Sequence, residues 1–254
     1  MPGTVDTSKL WLRRFHPAPD APARLLCFPH AGGGANFYFP VSRALSPGTD
    51  VLAVQYPGRQ DRMSESPLTD IHALADHVTE AVIPWTDRPL VLFGHSMGSL
   101  VAFEVARRLQ DRGVRPRALF VSARRPPHLH REPADGDLSQ DALVRAMKEL
   151  NGTDSSLLDD PTILDMIMPS LRGDFQAVRD YRYRPSPRLA CPLVALSGDS
   201  DPWMDAGEIH GWRDHTSAEF RSKVLPGDHF YLVQHPETVL SLITEWLSPP
   251  HGIR

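Results

Sequence analysis

Residues 90–113 read LVLFGHSMGSLVAFEVARRLQDRG. A short apolar run at 90–93 leads into Gly94-His95-Ser96-Met97-Gly98, and a segment apolar on one face follows at once, with arginines in its last turn and Gly113 as its expected C-cap. This is G-x-S-x-G in the setting it requires, a strand, a sharp turn and a helix. Glycines suit such a turn because a side chain at either flank would strike neighbouring backbone. The turn lifts the Ser96 hydroxyl to the carboxyl edge of a sheet at a helix N-terminus, where developing negative charge is stabilised.

Working outward, further strand-like runs stand at 24–28 (RLLCF), 51–54 (VLAV), 118–122 (ALFVS), 193–197 (LVALS) and 223–225 (KVL). Helical periodicity separates them. Ile71, Leu74, Ala75, Val78 and Val82 form one stripe that Pro84 ends, and Val239, Leu240, Ile243, Trp246 and Leu247 mark a last helix at 237–247. Such alternation predicts an α/β fold, a mostly parallel sheet with helices on both faces. Between Pro126 and Leu189 it breaks into helical patterns at 141–150 and 161–181 without a strand. That excursion is too long for an ordinary crossover. The expected organisation is therefore a core in two parts, 1–125 and 190–254, with an inserted helical lid at 126–189 whose Leu, Ile and Met side chains are expected to wall the site beneath it.

A nucleophile on such a turn is followed along the chain by an acid and then a histidine. Asp201, in Gly198-Asp199-Ser200-Asp201-Pro202, and His229, in Pro226-Gly227-Asp228-His229, each follow a strand run. His229 is expected to take the Ser96 proton and Asp201 to fix the imidazole tautomer. The G-x-x-D spacing favours Asp201 over Asp199, and Asp199 is expected to shape the turn. His95 is expected to pack beneath the elbow. The loop Phe28-Pro29-His30-Ala31-Gly32-Gly33-Gly34 lets backbone amides approach a substrate oxygen, so the amides of Ala31 and Met97 are the expected oxyanion donors.

Other chemistries lack their motifs. No Gly-Lys-Ser/Thr follows the glycine-rich loop, and neither H-E-x-x-H nor paired C-x-x-C occurs, so no cofactor and no metal are expected. Lys plus Arg total 27 against 31 Asp plus Glu, a formal charge of -4, which argues against general affinity for nucleic acid. No apolar stretch approaches membrane-spanning length, the first fifteen residues carry no apolar signal core, and Cys27 and Cys191 read as buried thiols. A cytoplasmic protein acting away from membranes is expected.

Taken together, FPHAGGGA at 28–35, YPGRQDR at 56–62, GHSMGS at 94–99, GDSDP at 198–202 and GDHFYL at 227–232 resemble the type II thioesterases of the α/β-hydrolase superfamily that accompany polyketide and nonribosomal peptide synthases. Ser99 stands where that family more often has alanine, and Tyr231 where phenylalanine is usual. The resemblance implies hydrolysis of acyl thioesters on the phosphopantetheine arm of carrier proteins, clearing stalled or misprimed chains, and a flexible lid over the acyl chamber. Acidic carrier domains would need a local basic surface, for which Arg124 and Arg125 are the expected docking residues. Arg59 and Arg62 are expected to brace their loop through backbone carbonyls. The residues by themselves leave open a free-standing esterase or acyltransferase, or a non-catalytic binding module on the same fold.

Overall fold

The computed structural model describes residues 7–131, 136–151 and 157–248. Among these, seven strands form one sheet: β1 (Leu12–Arg13), β2 (Arg24–Phe28), β3 (Asp50–Val54), β4 (Leu90–His95), β5 (Ala118–Ser122), β6 (Leu193–Gly198) and β7 (Phe220–Leu225). Their order is β1-β3-β2-β4-β5-β6-β7, and every pairing is parallel except β1 with β3. The helices are α1 (Thr7–Trp11), α2 (Phe39–Leu45), α3 (Ile71–Val82), α4 (Met97–Asp111), α5 (Gln140–Leu150), α6 (Pro161–Asp180), α7 (Tyr231–Gln234) and α8 (Pro236–Leu247).

The apolar runs are continuous because both faces of the sheet are covered. Leu26, Leu52, Leu92 and Leu119 join α3 and α4 in one core cluster, whereas their neighbours Leu25, Val51, Val91 and Phe120 join α8 in a second. Strand β7 lies at the sheet edge and is only partly covered, so its first half, Phe220-Arg221-Ser222, carried too little apolar signal to be read as strand. Helix α3 starts where Asp70 accepts a bond from the Ala73 amide (2.7 Å). Arg112 is the C-cap of α4, and Gly113 takes the left-handed position one residue later, with φ +77°.

Helices α5 and α6 share a small cluster of their own, Leu143, Leu158, Leu164, Met168 and Leu171. The far end of α6 does not stay with it. Ala177 and Tyr181 belong to the main core, and the Tyr181 hydroxyl donates to Glu104 Oε1 at 2.9 Å. No strand interrupts residues 126–189 among those described; 132–135 and 152–156, within the expected lid, lie outside the described residues, as do 1–6 and 249–254. Sequence periodicity missed a 3-10 segment, Ala206–His215, which buries Trp212 against the sheet and directs its Nε1 to the Arg124 carbonyl at 2.7 Å. No helix among the described residues is long and apolar enough to cross a membrane.

Candidate active site

Because β2, β4, β5 and β6 run parallel, the loops that leave their carboxyl ends converge on one rim. At the end of β4, Ser96 holds φ 54° and ψ -120°, a conformation costly for a side-chain-bearing residue, and its amide donates to the Ser122 carbonyl at 2.8 Å. A Cβ on Gly98 would stand 2.1 Å from the Phe28 carbonyl oxygen, and one on Gly94 2.3 Å from that of Gly98. The elbow is therefore pressed directly onto the glycine-rich loop that follows β2. Ser99 supports it from below: its buried Oγ accepts from the Ser122 amide (3.0 Å) and lies 2.9 Å from the carbonyls of both Gly94 and Ser122.

The loops after β6 and β7 meet at the same rim. A Cβ on Gly198 would come within 2.3 Å of the Gly227 and Asp228 carbonyls, so only glycine admits this approach. Asp199 turns outward and accepts from the Gly227 amide (3.0 Å) and the Ser200 hydroxyl (2.8 Å). Asp201 turns inward. Its Oδ2 accepts from His229 Nδ1 at 2.7 Å and its Oδ1 from the Trp203 amide at 2.9 Å. With Nδ1 donating to the carboxylate, Nε2 of His229 is the acceptor nitrogen, and it is buried with no hydrogen-bond partner among the described residues. Ser96 and His229 line one cavity of about 520 Å³, with no hydrogen bond between them. Ala31 and Met97 line it too.

Beneath the elbow, His95 is fully buried. Its Nδ1 lies 2.9 Å from Ser122 Oγ, which in turn lies 2.6 Å from the Tyr231 hydroxyl. Burial, with the neighbouring His229 and His30, holds the His95 pKa well below its ordinary value, so it is neutral there. His30 is edge-on to Phe37 and Phe230, and burial lowers it to about 3. The two residues that depart from the usual family pattern, Ser99 and Tyr231, thus both end on Ser122.

The wall opposite Ser96 comes from α5, α6 and their flanks, with Leu138, Leu143, Met147, Leu150, Phe175 and Val178 as its apolar part. Of the six apolar residues singled out in this segment by composition, Met147, Ile163, Met166, Ile167, Met168 and Leu171, only Met147 lines the cavity. Met168 and Leu171 seal α6 onto α5, and Met166 faces outward.

Arg124 and Arg125, the expected docking residues, also line the cavity and are both half-buried. Arg124 Nη2 lies 2.9 Å from His130 Nδ1, and burial beside Arg125 lowers its pKa to about 10. Arg125 bonds the Trp203 carbonyl and pairs with Glu208 at 3.4 Å. Strand β5 ends at Ser122, beside the elbow, so residues 124 and 125 leave the sheet at the rim of the site. Arg62 Nη1 donates to the Gln55 carbonyl at 2.8 Å, and its guanidinium forks onto Glu65. Arg59 likewise reaches backbone carbonyls, Pro57 at 3.3 Å and Gly33 at 3.0 Å. It also pairs with Asp174, 115 residues away, which no local spacing could have revealed.

Among the described residues no group of His, Cys, Asp or Glu side chains is placed to hold a metal ion. Cys27 and Cys191 are free and buried, and burial pushes the Cys191 thiol up to about 11.

A seven-stranded, mostly parallel sheet with a serine elbow and an Asp–His pair at its carboxyl rim defines the α/β-hydrolase class. The thioesterase-domain family model matches residues 23–247. The chain is 47% identical over 96% of its length to the probable cadicidin biosynthesis thioesterase of Streptomyces griseus, covering 68% of that protein. It is 44% identical over 99% of its length to thioesterase PikA5 of Streptomyces venezuelae, covering 90% of it. Among solved structures it is similar to the type II thioesterase BorB from the borrelidin biosynthetic cluster, with a TM-score of 0.88 at 45% identity over 94% of this chain and 98% of that one. The chain belongs to the thioesterase family, among the type II thioesterases, and is a serine hydrolase of thioesters.

Proposed function

We propose that this thioesterase removes acyl groups from the phosphopantetheine arm of carrier domains in a polyketide or nonribosomal peptide synthase, with Ser96 as nucleophile, His229 as general base and acid, and Asp201 as the group that orients His229. One observation carries the assignment of roles: His229 is tied at Nδ1 to Asp201 and has its buried Nε2 unpartnered beside the cavity that Ser96 lines. In the first half-reaction Ser96 Oγ attacks the thioester carbonyl while Nε2 takes its proton. The resulting oxyanion lies against the amides of Ala31 and Met97, the latter at the N-terminus of α4. Collapse expels the pantetheine thiolate, which recovers the proton from His229. Water, deprotonated by the same nitrogen, then hydrolyses the Ser96 ester and regenerates the hydroxyl.

A thiolate leaves with less need of a general acid than an amine, so the same groups act on thioesters readily. The apolar wall of α5 and α6 supports an acyl rather than a strongly polar substrate. In this reading 1–125 and 190–254 are the catalytic core and 126–189 the segment that covers it, and the enzyme works in the cytoplasm beside its synthase. Comparing kcat/KM for one acyl group on a carrier protein, on coenzyme A and as a nitrophenyl ester tests the substrate assignment. A clear preference for the carrier-bound form is expected, and a preference for the free ester would overturn it.

A further inference from the structure

We infer that Asp174, on the covering helix α6, together with Arg59 is a positioning pair for the oxyanion loop, so that this loop takes its working shape only when α6 is seated. Asp174 is fully buried. Its Oδ2 accepts from the Gly32 amide at 2.8 Å and from Arg59 Nη1 at 2.6 Å, and its Oδ1 accepts from Arg59 Nη2 at 2.8 Å. Arg59 Nη1 also donates to the Gly33 carbonyl at 3.0 Å. One carboxylate and one guanidinium therefore hold the Ala31–Gly32 and Gly33–Gly34 peptide groups, the first and third after Ala31.

The loop has few other means of holding this shape. Gly32 sits at φ +75°, and glycine peptides of this kind are free to turn unless bonded. Nearby support continues the same lattice: Gln55 accepts from the Ala35 amide at 2.8 Å and donates to the Arg59 carbonyl at 3.1 Å. Helix α6 reaches this depth because Gly173 lets it lie on Pro67; a Cβ there would be 2.8 Å from Pro67 Cβ. A buried fork of opposite charges fixes direction as well as distance. None of its hydrogen bonds is made to Asp201 or His229, so its effect should fall on charge stabilisation and spare proton transfer.

The inference rests on Ser96 being the nucleophile and Ala31 an oxyanion donor. Asp174→Asn keeps the shape of the side chain but removes the charge facing Arg59. It should lower kcat about 10- to 100-fold, the scale of an ångström of misplacement, with KM within about twofold. The loss should be equal for a short N-acetylcysteamine thioester and an acyl carrier protein. Affinity for an alkylboronic acid, which forms a tetrahedral adduct at serine, should fall by a similar factor. Asp165→Asn, on the exposed face of α6, is the control.

A soluble Asp174→Asn protein with wild-type kcat and boronate affinity overturns the inference, as does a loss confined to KM or to the carrier substrate. Should that variant fail to fold, Gly173→Ala decides, because it disturbs the seating of α6 without stranding a charge. A several-fold lower kcat at constant KM supports the inference, and a wild-type kcat overturns it. Ser96→Ala separates the two readings: an active Ser96→Ala enzyme sinks the nucleophile assignment, whereas an inert one beside a fully active Asp174→Asn enzyme sinks the positioning pair alone.

Discussion

Asp201 and His229 are joined at 2.7 Å, while Asp199, two residues earlier on the same loop, faces away and holds the Gly227 amide instead. Two neighbouring carboxylates thus divide into one that faces the imidazole and one that stitches the loops after β6 and β7 together. Asp201→Asn should lower kcat by about 10⁴, because the amide favours the wrong imidazole tautomer. Asp199→Asn keeps an acceptor for Gly227 and should stay within about threefold of wild type. Steady-state hydrolysis of a single thioester by both variants checks the assignment, and the opposite ranking would contradict it.

Arg124 and Arg125 face the cavity and are engaged by His130, Glu208 and the Trp203 carbonyl. Replacing both with glutamate should therefore depress kcat/KM for small thioesters and carrier-bound substrates alike, with little change in the ratio between 0.05 and 0.3 M salt, a range over which a surface docking pair would be progressively screened. A loss confined to carrier substrates at low salt would assign these arginines to docking instead.

Ser99 accepts from the Ser122 amide and bonds carbonyls on β4 and β5, all within the core. Ser99→Ala leaves a buried amide without this acceptor and should cost about 1–3 kcal/mol of stability, read from the urea midpoint. The Ser96 backbone keeps its own bond to Ser122, so kcat should change less than tenfold. Unchanged stability would mean that the hydroxyl contributes nothing beyond the alanine usual in the family.

Four histidines are held neutral by burial: His30 is lowered to about 3, His130 and His215 each to about 4, and His95 well below the ordinary 6.5. A depressed histidine gives stability that is complete above the unfolded value and is lost as pH falls toward the folded one, because the unfolded chain then binds more protons. Stability should accordingly decline from about pH 6.5 downward, before most carboxylates titrate, with His30 and His95 each adding up to ~1.4 kcal/mol per pH unit within its window and the more solvent-screened His130 and His215 adding less. Urea midpoints at pH 7.5, 6 and 5 read this slope. A flat profile over that range would show that these imidazoles are accessible to protons in the native state.

The parts legible in the sequence are those whose cause is local. The G-x-S-x-G turn, the apolar runs of the central strands and the α3 stripe each state their structure within about a dozen residues. The meeting of Asp201 with His229 was legible because each follows a strand, and parallel strands place such loops on one rim. The edge strand β7 was read only over its last three residues, where Val224 and Leu225 are adjacent apolar side chains, since an exposed edge removes the continuous apolar signal. The 3-10 segment 206–215 hid because its buried residues, Ile209, Trp212 and His215, recur every three residues and only two of them are apolar, a stripe too short to stand out. Arg59 belonged to a visible motif, but its partner Asp174 looked like any charged residue on a helix until the chain was folded.

The role of Ser96 is tested most directly by trapping the acyl-enzyme. The protein is mixed with an acyl-phosphopantetheinyl carrier, quenched in acid within the first turnover, and mapped by mass spectrometry, in parallel with Ser96→Ala. The account predicts the acyl group on the peptide containing Ser96, none on the variant, and turnover lowered by several orders of magnitude, about 10⁶ being the loss in a comparable serine enzyme. An acyl group on any other residue, or Ser96→Ala activity within tenfold of wild type, would contradict it.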